Sequence, residues 1–76
     1  MNKQRRKTLN ELYDKLAELR DILEEIKDDE EEYRDNIPEN LQGSERYEKA
    51  EEACDSLDSA LSSIEEALDY IITAAE

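Results

Sequence analysis

The chain has 76 residues, 37% apolar and 43% charged, with ten bases against 23 acids for a net charge of −13. One domain near the lower size limit for a self-sufficient core is expected, and a mean hydropathy of −1.03 leaves no run apolar enough for a membrane span. With no histidine, one glycine and one cysteine, the residue types for a histidine-based dyad, a glycine-rich phosphate loop or a disulfide framework are missing.

The charge is unevenly spread. Lys3, Arg5, Arg6, Lys7, Lys15 and Arg20 outweigh three acids in residues 1–20, whereas residues 21–76 are strongly acidic. Such a body is repelled by nucleic acid and anionic membrane and attracted to basic protein surfaces. No aromatic interleaves the bases of Lys3–Lys7, so the basic start reads as solubilising or as neutralising the acids of its own oligomer. No signal-peptide core follows it, and a lone cysteine fits a reducing, cytoplasmic setting.

The first predicted element is a helix over about 4–35, with Thr8 and Glu11 at capping-box spacing offering a later start. Leu9, Leu12, Leu16, Leu19, Leu23, Ile26, Glu30, Tyr33 and Ile37 step by alternating threes and fours. That 3.5-residue period places one apolar seam along a helix, at positions labelled a and d of a heptad that begins at Leu9. The seam must pack against another helix.

A break is expected over residues 36–44. Pro38 disfavours helical geometry at Ile37, Gly43 suits a left-handed stop, and Ser44 suits an N-cap. Pro38 to Gln42 has room for one short helical turn. The second helix is predicted over about 45–74, with its own seam at Tyr47, Ala50, Cys54, Leu57, Leu61, Ile64, Leu68, Ile71 and Ala75.

A short connection makes the two helices antiparallel neighbours. A loop centred on residue 40 sets facing seam residues to sum to about 80, which pairs Leu12 with Leu68, Leu19 with Leu61 and Ile26 with Cys54. The flanking e positions give Arg20/Glu65, Lys27/Asp58, Arg34/Glu51 and apolar Tyr13/Ile72 at one common register. On the other flank, at g, the second helix carries Ala53, Ala60, Ala67 and Ala74 beside Ile22 of the first. A two-helix hairpin leaves that strip uncovered. The fold expected is all-α: an antiparallel two-helix coiled-coil hairpin forming one domain over residues 1–76, dimerising through this strip into a four-helix bundle.

Side chains capable of chemistry are few. Consecutive acids Asp28 to Glu32 radiate about 100° apart on a helix and do not converge on a cation. Cys54 sits on the seam among acids, which suits an inert core thiol. Glu30 interrupts the seam and either pairs with Arg46 or Lys49 as a register device or reaches water past Ala50. No catalytic residue, cofactor or metal site is expected.

The segment Asn36-Ile37-Pro38-Glu39-Asn40-Leu41-Gln42-Gly43-Ser44-Glu45-Arg46-Tyr47 and the Ala/Glu/Asp-rich helix after it resemble small acidic helical-hairpin proteins of bacterial phages, prophages and mobile elements. The resemblance spans roughly residues 20–72 and implies a genetic setting rather than a chemistry. The function expected is a non-enzymatic protein–protein interaction module that binds itself and a host or phage protein with a basic surface. The alternative is an acidic nucleic-acid mimic that inhibits a host nucleic-acid-binding or defence protein. Its partner-binding face would be Glu24, Asp28, Glu31, Glu32 and Asp35 with Glu48, Asp55 and Asp69.

Overall fold

The computed structural model describes residues 1–76 and contains α1 (Lys3–Asp35), one 3-10 turn (Glu39–Leu41) and α2 (Glu45–Ala75). The two helices pack along their lengths as an antiparallel hairpin measuring 59 × 15 × 12 Å.

Each end has a local cause. Asn2 caps α1, its side-chain oxygen accepting from the Arg5 N–H at 2.8 Å. The helix therefore begins ahead of Thr8, whose hydroxyl donates back to the Gln4 carbonyl at 3.1 Å. Asn36 closes α1, and Pro38 at φ −53°, ψ 143° turns the chain out of helical geometry. Ser44 is extended and accepts from the Tyr47 N–H at 3.3 Å, with Glu45 and Glu48 stabilising the positive end of α2.

Gly43 departs from expectation. It has no positive φ, and the turn is closed by the Ser44 N–H donating to the Leu41 carbonyl at 3.0 Å. A Cβ at this position meets nothing within 4 Å. Gly43→Ala is therefore expected to stabilise the fold by about 0.4–1 kcal/mol, by restricting the unfolded chain. A lowered thermal midpoint would show that the turn needs glycine after all.

The register also differs from the expected layers. Ala50, Cys54, Leu61 and Leu68 of α2 are buried together with Ile37, as a seam at a and d requires. On α1, however, the d residues Leu12, Leu19, Ile26 and Tyr33 are 42–59% exposed. The half-buried residues there are Leu9, Leu16, Leu23 and Glu30 at a and Tyr13, Arg20, Lys27 and Arg34 at e, with Ala17 and Glu31 at b. Helix α1 is thus turned by roughly 50° from an a/d seating. The two burial patterns match when facing numbers sum to about 84 rather than 80, which sets Leu16 against Leu68 and Leu23 against Leu61. Cys54 accordingly lies near the charges of Glu30, Glu31 and Arg34, not opposite Ile26.

The physical reason is the width of the apolar arc. From g through d and a to e it is broader than a single neighbouring helix covers. The long side chains of Arg20, Lys27 and Arg34 are only 22–30% exposed, so their stems are partly covered at the helix interface while the charges reach water. Of the expected cross-helix ion pairs, Lys27–Asp58 forms at 2.9 Å. Arg20 instead takes Asp21 and Arg34 takes Asp35, both at 3.1 Å. A sequence neighbour is already close, so pairing with it orders less chain.

Candidate functional site: the open face of the hairpin

The turn of α1 leaves an apolar stripe on one flank, interrupted by Lys15 and Asp29. Leu12, Leu19, Ile22, Ile26 and Tyr33 follow one another at d and g spacing, each at least 42% exposed. Beside them on α2, Ala53, Ala60 and Ala67 are half-buried and Ala74 is exposed. Tyr70, 67% exposed, lies next to that strip. Sequence reasoning found Ile22 and the alanines but assigned the four d residues of α1 to the core. The signal that could have found them is the excess breadth of the apolar arc.

The acids face elsewhere. Glu24, Asp28, Glu32, Glu48, Asp55 and Asp69 are exposed and in no ion pair. Glu31 is half-buried at 3.6 Å from Lys27, and Asp35 is held by Arg34. Most of these occupy b and f positions, turned away from the stripe. No group of three carboxylate or thiol side chains is placed to share a metal ion.

Tyr33 has a second role. Arg46 Nε donates to its hydroxyl at 2.6 Å, and the guanidinium carbon lies 5.2 Å from the ring centroid. This contact and the Lys49–Glu45 pair at 3.2 Å occupy both cations expected for Glu30. Glu30 makes no ion pair and is left half-exposed, its charge acting on buried Cys54 rather than facing Ala50.

Cys54 is 3% exposed. Burial pushes its thiol above the ordinary 9.0, opposed by Arg34 and reinforced by Glu30, Glu31 and Asp55. The folded thiol therefore stays neutral where the unfolded one ionises, and this contribution to stability falls as pH rises past 9.0. At pH 8, a disulfide reagent is expected to react at least about 100-fold more slowly with folded than with unfolded chain. Equal rates would place the thiol on the surface.

At the other end, Arg6 Nη2 donates to the Met1 carbonyl at 3.0 Å and the Glu76 carbonyl at 3.5 Å, tying the start of α1 to the end of α2. The depressions there, around Lys3, Arg6 and Asp14 and around Arg5 and Leu9, are shallow and open to solvent. No helix is long and apolar enough to cross a membrane. What the surface offers is a flat apolar flank and an acidic back.

The chain matches no protein-family model, no curated protein and no solved structure.

Proposed function

We propose that this chain is a non-enzymatic protein–protein interaction module that self-associates through its open apolar face and binds a protein partner with a basic patch by packing against the helical faces of the bundle. The observation that carries the reading is the stripe of five large apolar side chains at 42–59% exposure on one flank of α1. Exposed contiguous apolar surface on a small domain marks an interaction site. Ile22, Ala53, Ala60, Ala67 and Ala74 lie on or beside this flank, and a second hairpin laid across it makes a four-helix bundle. The phage or mobile-element setting and a cytoplasmic location belong to the same proposal, on the strength of the loop segment and the single cysteine.

A second reading is favoured by the six unpaired exposed acids, which leave strong negative charge free on rods about 45–50 Å long at roughly 1.5 Å per residue. A nucleic-acid mimic would use them against a host nucleic-acid-binding or defence protein. Salt separates the two readings. A mimic loses its basic partner steeply as ionic strength rises, because its attraction is screened beyond about 8–10 Å at physiological salt. A partner held by helix packing is not weakened by salt. The test is a pull-down from host lysate at low and high salt, repeated with Glu31→Gln and Glu32→Gln. Retention of one partner in high salt and by both variants supports the packing module; loss in each arm, with competition by nucleic acid, supports the mimic.

A further inference from the structure

The stripe on α1 is complementary to its own reverse. Along the flank it reads Leu12, Lys15, Leu19, Ile22, Ile26, Asp29, Tyr33 at three- and four-residue steps. Reversed about Ile22, Ile22 meets itself and Lys15 meets Asp29, while Leu12 meets Tyr33 and Leu19 meets Ile26 to within one residue, about 1.5 Å along the helix. Every apolar residue finds an apolar partner, and the only two charges are opposite in sign. Lys15 and Asp29 are both exposed and neither is in an ion pair within the hairpin. A surface patch that matches its own two-fold image is what an isologous dimer requires.

We infer that the occupant of the open face is a second copy of this chain, its α1 antiparallel to the first, about a two-fold axis passing beside Ile22. This rests on the self-association proposed above and fixes its geometry. The axis suits α2 as well. Ala53, Ala60 and Ala67 are symmetric about Ala60, which the hairpin register sets within about two residues of the level of Ile22. Small residues at that level let the flanking helices approach while the α1 stripes interdigitate. From Leu12 to Tyr33 the stripe runs about 32 Å, and with the alanine strip beside it about 20 Å of width is covered. That is roughly 600 Å² per chain, the lower bound of a stable specific interface.

Glu11, Glu18, Glu25 and Glu32 border the stripe at c and are brought near their counterparts across the axis. Their repulsion opposes pairing, so added salt tightens the dimer, whereas it weakens a charge-driven complex.

Disulfide trapping tests the axis. Ile22→Cys is compared with Leu12→Cys and with the wild-type chain, whose Cys54 is buried. Under mild oxidation, Ile22→Cys is expected to form a covalent dimer, and Leu12→Cys and wild type are expected to form little. Trapping of both variants would indicate parallel helices and overturn the antiparallel axis. Trapping of neither, in samples that sediment as dimers, would overturn the axis while leaving self-association intact; samples that sediment as monomers would overturn both. Charge gives a second reading. Asp29→Lys lowers the net negative charge, so general repulsion alone would tighten the dimer. Because the axis sets residue 29 against Lys15, Asp29→Lys is expected to weaken the dimer about tenfold, and tightening would contradict the pairing.

Discussion

Leu68→Ala is expected to lower stability by about 2–4 kcal/mol, because the side chain is 2% exposed and its removal leaves a cavity in the only interface the hairpin has. A domain of this size has a total stability of only a few kcal/mol, so half or more of it would be lost. At about 4–8 °C per kcal/mol for a chain of this length, the thermal midpoint should fall by roughly 10–30 °C. The same truncation at Leu19, 59% exposed in the hairpin, should cost an isolated chain under about 1 kcal/mol. Circular dichroism melts of both variants check the seating of α1. A Leu19→Ala loss as large as that of Leu68→Ala in dilute, monomeric samples would place Leu19 in the hairpin core and contradict the exposed stripe.

Ala60→Glu should produce the largest change in assembly. Ala60 is half-buried on the flank where the second copy is proposed to lie, at nearly the level of the two-fold axis. Each dimer would then carry two carboxylates close to the axis, away from water and facing like charge. An unpaired buried charge of this kind costs about 3–5 kcal/mol, which corresponds to at least a hundredfold loss of affinity. Light scattering should find the variant as a helical monomer at concentrations where the parent is dimeric. A dimer of unchanged affinity would move the interface off this flank.

Much of the hairpin is legible in the sequence, because its ends depend on single residues with local effects. Pro38 removes a backbone donor, Ser44 supplies a cap, and both act where their position in the sequence puts them. Lys27 finds Asp58 because complementary e positions recur every seventh residue. Besides Gly43, which lacks the expected left-handed conformation, two features were less legible. Asn2 caps α1 ahead of the better-spaced Thr8, because Lys3 to Lys7 are sound helix formers and a short polar side chain stands just before them. The rotation of α1 is the larger departure. Heptad reasoning counts Arg20, Lys27 and Arg34 as polar and so excludes them from the seam, yet each has an aliphatic stem long enough to cover Ala50, Leu57 or Ile64. A residue-by-residue division into apolar and polar cannot show that three cations will displace Leu12, Leu19 and Ile26 from the contact. The same displacement creates the apolar stripe, so the candidate site was only half visible in advance: its alanines could be read from the heptads, its leucines could not.

The acids of the proposed partner-binding face were placed by heptad position, and their exposure follows from it. Glu31 is the exception, half-buried because Lys27 draws it towards the helix interface. Lys27 itself is held protonated above its ordinary 10.5, first by its hydrogen bond to Asp58. This contribution to stability is present below that value and is lost as pH rises through the folded-state value.

Sedimentation equilibrium of the native chain, over a wide concentration range and at two salt concentrations, tests the interaction face most directly. A reversible dimer of twice the 8.9 kDa chain mass is expected, tighter in high salt as the glutamates bordering the stripe are screened. A folded helical species that stays at 8.9 kDa across the range, at both salt concentrations, would contradict it.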